Sequence, residues 1–517
     1  MKLNYKRTIL VGFAFFLICH FWQAYDTMIP KILTDKFGMS QTWSGVIMAL
    51  DNILALFMLP LFGALSDRCK SKRGKRTPFV IIGTLVACCA VLLLCFADAL
   101  QTNKLAKVDV FSDREVAMET LWEANPEANY EGAGITRKLQ DVIGKEEFKS
   151  IELLKEDGKT TTDDYDHYVQ PARQAYAAQT TRESPLILIM FIGVLLVLLF
   201  AMGVFRSPAV ALMPDVTPKP LRSKGNAIIN LMGAAGGILV LVLGIVLGTG
   251  KVQNALMGYT LFFMIVTAVM LGSLLVFVLT VKEPIWAKEA DEDYKKYYPE
   301  EAEREPMDET PKDRKLSNGE KISLVLILAS VALWFIGYNA VTSKFSVYAV
   351  DVLKKDFNST LIFAQGAAIL SYIPVGIVSS RIGRKKAILI GVGLLTAAFV
   401  SAAFITKDTA AWLMTALFII AGVGWATINV NSFPMVVELA TGSNTGKFTG
   451  YYYTASMAAQ IIAPIFSGVF LDINMRTLFP FGAIFSGLSF VTMLFVKHGD
   501  SKPIRKSALE AIGDADD

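Results

Sequence analysis

The strongest constraint on this chain is the return of apolar windows of roughly 20 to 28 residues, each long enough to cross a bilayer as a tilted helix. They fall at about 8–33, 43–66, 77–97, 185–213, 224–249 and 256–281, and again at about 322–350, 358–380, 385–405, 410–437, 446–471 and 477–497. Inside hydrocarbon every backbone amide has to be paired internally, so six windows, a charged interval and six more predict an all-α membrane protein of twelve transmembrane helices in two six-helix bundles. The 53% share of apolar residues among 517 agrees. So does a mean hydropathy of +0.46. A net charge of +4, distributed by loop rather than gathered in one patch, argues against a nucleic-acid partner. The opening Met1-Lys2 to Arg7 imitates a signal peptide, but the apolar run behind it continues to about residue 33 without a small-x-small site and reads as an uncleaved first span.

The loops supply orientation and boundaries. The stretch Gly63-Ala-Leu-Ser-Asp67-Arg68-Cys-Lys-Ser-Lys-Arg-Gly74-Lys75-Arg76 carries six Lys/Arg between the second and third windows, which places it in the cytoplasm. Inner tails and short inner loops hold about 21 Lys/Arg against about 7 in the short outer loops, so both termini are expected to be cytoplasmic, in a multi-pass protein of the cell membrane. The expected domains are 1–281 for the first bundle, 282–321 for a charged cytoplasmic linker, 322–497 for the second bundle and 498–517 for a cytoplasmic tail. Residues 98–184 interrupt the first bundle as an extracytoplasmic insert between the third and fourth spans. Ser112-Asp-Arg-Glu115 can cap a helix there, and Ile135, Leu139, Val142, Ile143, Ile151 and Leu154 suggest another. A small helical cap and a loosely ordered spacer both remain open.

The basic loop recurs: Gly376-Ile-Val-Ser-Ser-Arg381-Ile-Gly383-Arg384-Lys385-Lys386 lies between the eighth and ninth windows. Such a repeat at matching positions suits a transporter built from two related halves. The pattern resembles the Gly-x-x-x-Asp-Arg-x-Gly-Arg-Arg hairpin of the major facilitator superfamily, with extra residues before Gly74. More narrowly, Ser66-Asp67-Arg68-Cys69-x-Ser71-x-x-Gly74-x-Arg76-x-Pro78-Phe79 is similar to the sucrose/proton symporters and their animal relatives, in the glycoside-transporting branch. The join Pro208-Ala-Val-Ala-Leu-Met-Pro-Asp215 and Asn226-Ala227 resembles that group too, as does Gly424-Trp425-Ala-Thr-Ile-Asn429-Val-Asn431-Ser-Phe-Pro434. The copy departs where coupling is concerned. Plant members carry an Arg where Val210 aligns, an acidic residue near Leu199, and a His before the Trp of the second span, where this chain has Gln41 before Trp43.

The resemblance implies alternating access and a latch at the loop face built from Gly63, Asp67, Arg68, Gly74, Arg76, Asp215, Arg381, Gly383, Arg384 and Glu438. In it, Asp67 meets the start of the eleventh span, and basic residues pair with Asp215 in one half and Glu438 in the other. A carboxylate at a positive helix end gives the physical basis.

Ionisable residues inside spans are costly, which makes Asp26 and Asp51 the candidates for proton coupling. Counting 1.5 Å per residue, they lie at similar depth in the outer half and could face one cavity. Arg206 lies deeper by the same count and is not expected to pair directly with Asp26. The substrate candidates are Trp22, Gln23, Tyr25, Asn52, Arg206, Asn230, Trp334, Tyr338, Asn339, Gln365, Tyr372, Trp425 and Asn429. Aromatic faces cover the apolar side of a sugar ring while amides meet its hydroxyls in both directions, although the same residue types also glue membrane helices together. His20 reads equally as packing or relay.

Three scattered His and five Cys supply no nucleophile–base pair and no metal constellation, so no enzyme, metal or cofactor beyond a coupling proton is expected. The expected function is proton-coupled symport of a sugar or glycoside by a monomer in the lipid bilayer. An uncoupled facilitator or an exporter of another small solute is the alternative, and a non-transporting receptor a weaker one. Asn358-Ser-Thr is a formal glycosylation sequon, and Gly442-Ser-Asn-Thr-Gly446-Lys447 falls one residue short of a phosphate loop.

Overall fold

The computed structural model describes residues 3–130, 135–218, 221–297, 316–439 and 445–499, of which 223, 224, 373, 380 and 445–447 by backbone alone. The first half consists of α1 (Tyr5–Lys31), α2 (Gln41–Asp67), α3 (Thr77–Leu105), α8 (Pro185–Val216), α9 (Arg222–Leu247) and α10 (Thr260–Thr280), followed by the linker helix α11 (Glu283–Tyr297). The second half consists of α12 (Asn318–Asp351), α13 (Phe357–Ile382), α14 (Arg384–Ala402), α15 (Ala411–Val437), α16 (Thr445–Ile473) and α17 (Leu478–Leu494). Among the described residues eleven helices are long and apolar enough to cross a membrane. The helix α13, with 26 residues, stands at the place of the eighth expected window.

Local chemistry sets the helix ends. Ser40 accepts from the Trp43 amide at the start of α2, Ser317 and Glu320 close a reciprocal capping box on α12, and Asp356 caps α13 through the Asn358 amide. Pro78 and Pro185 sit in the first turns of α3 and α8, where a missing N–H costs nothing. The helix α3 runs past its expected end at 97, and this has an electrostatic cause. Asp98 and Lys36, both with fully buried side chains, form an ion pair of 2.5 Å, and Asp98 also accepts from the Tyr259 amide at 2.9 Å. Lys36 donates further to Thr102. Helix geometry has to continue beyond Asp98 to bring Thr102 one turn on.

Between α3 and α8 lie α4 (Arg114–Ala124), a two-residue hairpin of β1 (Glu127–Ala128) and β2 (Arg137–Lys138), α5 (Leu139–Val142), α6 (Lys145–Ser150) and α7 (Gln170–Glu183). The first of these helices is capped by Asp113, one residue beyond the expected Ser112. Of the apolar residues expected to share a helix between Ile135 and Leu154, Leu139 and Val142 lie in α5, Ile135, Ile143 and Ile151 lie outside the helices, and Leu154 forms an isolated bridge with Thr161. We call the end of the bundles that carries these residues the insert face, and the end that carries the 68–76 loop the loop face.

At the loop face, the linker helix is tied to the first bundle. Glu283 accepts from the amides of Lys75, Arg76 and Thr77 at 2.6, 2.9 and 2.8 Å, and from the Thr77 hydroxyl at 2.7 Å. It thereby satisfies the N–H groups that lead into α3 and that of its first residue, and places a carboxylate at the positive end of that helix. Gly74 sits against this carboxylate with φ +114°, where a Cβ would lie 2.2 Å from it. We predict that Glu283→Ala, which leaves those amides unpaired in a buried position, destabilises the protein by about 1–3 kcal/mol. Thermal unfolding in detergent should show the loss, with Glu283→Gln retaining part of the stability.

Candidate functional site

The two halves enclose a cavity of about 690 Å³, within the range of small-molecule sites. Its first-half wall is charged. Asp26 and Asp51 both line it, and Asn52 donates to Asp51 at 2.8 Å. Arg206 lies on the same wall, with its guanidinium 5.4 Å from the centre of the Trp22 ring. The count of rise per residue kept Arg206 away from Asp26, and no direct pair is formed. Arg206 nevertheless lines the same cavity as both carboxylates. Side chains on a helix tilt toward its N-terminus, and α8 starts at the insert face, so a long Arg side chain reaches back toward the depth of Asp26.

The second-half wall is aromatic and uncharged. Tyr338 and Trp425 are stacked, 3.6 Å between ring centres and 3° from parallel, with Phe335 edge-on to Trp425. Gln365 and Tyr372 of α13 line the cavity beside them, and Trp22, Gln23, Asn226 and Asn230 line the opposite side. Gln365 donates to the Gln23 amide oxygen, so one amide from each half meets across the cavity.

Four substrate candidates are placed elsewhere. Trp334 is fully buried in the second bundle, Tyr25 is 1% exposed and packs edge-on against Trp22, and Asn339 donates to the Phe335 carbonyl of its own helix. Asn429 does not line the cavity either. For Tyr25 and Asn339 the reason is angular: each directly adjoins a cavity residue, Asp26 or Tyr338, and successive residues of a 3.6-residue helix point about 100° apart. Gln460 of α16 lines the cavity and was missed, being a single amide in an otherwise small and apolar stretch. His20 is buried, stacks on Phe16 and bonds the Gly236 carbonyl, which is the packing role. None of the five cysteines is in a disulfide.

The contacts that join the halves gather at the insert face. Asp472 of α16 accepts from the Gln41 and Thr42 amides at 2.5 and 2.9 Å, and Lys344 of α12 donates to the Gln41 carbonyl at 2.8 Å. A Cβ on Gly45 would stand 2.0 Å from the Pro464 carbonyl oxygen, and one on Gly468 2.5 Å from that of Gln41, so α2 and α16 touch backbone to backbone. The sequon residue Asn358 is fully buried and donates to Thr249 across the seam of α9 and α13.

At the loop face the ion pairs among the described residues stay within one half. Arg76 joins Asp67 at 2.5 Å and Asp215 at 2.8 Å, Arg384 joins Glu438, and Arg7 joins Glu289. Gly63 packs against Ser207, Gly383 turns between α13 and α14 with φ +92°, and Arg68 and Arg381 are exposed. The start of the eleventh expected span, which Asp67 was to meet, is described at 445–447 by backbone alone, and residues 442–444 of the near-phosphate-loop stretch lie outside the described residues. Among the described residues, the polar contacts of Asp472 and Lys344 with the first turn of α2 join the halves at the insert face end of the cavity.

The sequence matches the Major Facilitator Superfamily description over residues 180–440 and 357–513. The chain belongs to the Major Facilitator Superfamily. Residues 11–108 also match the description MFS/sugar transport protein. Among curated proteins, the Sucrose transport protein SUC4 of Arabidopsis thaliana is 36% identical over 59 residues, 11% of this chain and 12% of that protein. The Sucrose transport protein SUC3 of the same plant is 35% identical over 70 residues, 14% and 11%. The chain thus spans about an eighth or less of the length of these relatives.

Over nearly the whole chain the fold is similar to that of the D-xylose-proton symporter, with TM-score 0.59 at 13% identity, covering 96% of this chain and 99% of that one. For the inward open conformation of the xylose transporter XylE from E. coli the TM-score is 0.56 at 13% identity, covering 95% of each. The fold is that of a multi-pass membrane transporter, and its relatives are transporters, not enzymes.

Cys19 lines the cavity. In a variant keeping only this cysteine, a membrane-impermeant maleimide is expected to label from the loop face and not from the insert face. Labelling measured in sealed vesicles of opposite orientation checks this.

Proposed function

We propose that this chain is a proton-coupled symporter that carries a small neutral sugar or glycoside across the cell membrane by alternating access between two bundles. In this reading it has twelve spans, its loop face and both termini are cytoplasmic, and residues 106–184 lie outside. The observation that carries the proposal is the asymmetry of the cavity. A carboxylate-bearing wall of Asp26, Asp51, Asn52 and Arg206 faces an uncharged aromatic and amide wall of Tyr338, Trp425, Gln365 and Tyr372. The stacked Tyr338–Trp425 pair offers a flat apolar surface to a pyranose face, and the amides offer donors and acceptors to hydroxyls. Carboxylates in a cavity that alternates between two aqueous sides can take up a proton on one and release it on the other, with Arg206 supplying a charge that competes for them. The curated relatives are named for sucrose transport and one structural neighbour for D-xylose–proton symport, which supports sugar as the cargo and the proton as the driving ion.

The deciding experiment is uptake of labelled sucrose, maltose and related glycosides into proteoliposomes with and without an inward proton gradient. We expect uphill accumulation that an uncoupler abolishes. Asp51→Asn, and to a lesser extent Asp26→Asn, should remove accumulation while leaving counterflow exchange. Accumulation retained in both variants would refute the assignment of the carboxylates, and equilibration without accumulation in the unmodified protein would make it an uncoupled facilitator. Replacing Trp425 by Ala should weaken sugar affinity by roughly 10- to 100-fold, the loss of one desolvated aromatic contact, as read from the half-saturating concentration for counterflow.

A further inference from the structure

Residues 106–184 are rooted in the first half. The helix α7 leads directly into α8, Gln101 of α3 bonds Thr181, and a Cβ on Gly38 would stand 2.3 Å from the Ala178 backbone nitrogen. The polar side chains of this segment nevertheless reach the other half. Asp166 accepts from Lys354 at 3.1 Å and from Lys407 at 2.6 Å, and Lys407 also pairs with Asp163. Lys155 donates to Asp408 at 2.9 Å, and Gln174 donates to Asp351.

Lys354 and Lys407 lie in the two insert-face connections of the second half, between α12 and α13 and between α14 and α15. The side chain of Lys354 is 2% exposed. Its backbone has φ +55°, a left-handed conformation that costs a lysine and suits a glycine or asparagine. The conformation closes the end of α12, where the Leu353 and Lys355 amides bond the Tyr348 and Ala349 carbonyls.

From this bridging we propose that residues 106–184 form an electrostatic latch which, by docking Asp163 and Asp166 on Lys354 and Lys407, holds the insert face of the two bundles together. The latch rests on the alternating-access part of the proposed function and on neither the cargo nor the driving ion. It follows from where the segment is anchored: any movement that separates the bundles at the insert face carries Asp166 away with the first half and leaves both lysines behind. The hydrogen bond from Lys407 holds the Asp163 carboxyl below its ordinary value, in keeping with a charged contact present at neutral pH. Because several of these pairs face solvent, salt weakens them, as the Debye length shrinks from about 10 Å at 0.1 M to about 3 Å at 1 M.

The test needs no substrate. Spin labels at Asn103, near the insert-face end of α3, and at Ala410, just before α15, both occupy exposed positions outside the latch. A second pair at the exposed Lys72 and Lys386 reports the loop face. In lipid nanodiscs, Asp166→Asn and the double variant Lys354→Ala/Lys407→Ala should each move the ratio of long to short distances at the insert face by about tenfold toward the long. The loop-face pair should shorten in the same samples, and 1 M salt should act on the unmodified protein in the same direction. Unchanged insert-face distances in both variants would overturn the proposal. Lengthening at the insert face without shortening at the loop face would also overturn it, as that is loosening rather than a released latch. Sugar transport that failed for other reasons would leave these distances as expected.

Discussion

Two halves of this chain are held in one arrangement chiefly by what happens at the first turn of α2. The Asp472 carboxylate takes two backbone donors there, and Lys344 takes the Gln41 carbonyl of the same turn. Groups at a helix end have no partner within the helix, so the second bundle supplies what the first lacks. The approach of backbone to backbone at Gly45 and Gly468 follows, because those hydrogen bonds are short only where nothing larger than hydrogen stands between the helices. The cavity below is a consequence: bundles clamped at one end diverge toward the other.

The same logic orders the charges. Lys36 and Asp98 are completely buried, yet each meets its counter-charge and further polar partners, the condition under which buried ions persist. At the loop face, Glu283, Arg76, Asp67 and Asp215 form a chain of contacts contained in the first half. The network joins the linker helix α11 and the basic loop to the first half.

Much of this was legible in the sequence because membrane spans obey a simple rule. Windows such as 185–213 and 410–437 reappear as α8 and α15 with small changes at the ends. The charged residues Asp26, Asp51 and Arg206 were singled out for their cost in hydrocarbon, and all three meet in the cavity. Rotation about a helix axis was harder to read. Among apolar neighbours nothing in the composition distinguishes Trp334, which is buried, from Tyr338, which faces the cavity, and the two lie one helical turn apart. The segment between α3 and α8 was the least legible, since its helices are short and its ties are long-range charges such as Lys354–Asp166 that no local pattern announces.

The amide bridge between Gln23 and Gln365 has a consequence for the ease of opening. A side-chain amide carries two donors on nitrogen and two lone pairs on oxygen, the same complement that water or a pair of hydroxyl groups can answer. Parting these two residues therefore exchanges one set of hydrogen bonds for another of similar strength instead of stranding a charge. A crossing made from amides gives a barrier that is low in both directions, whereas an ion pair at the same place would make one side of the cycle far deeper than the other.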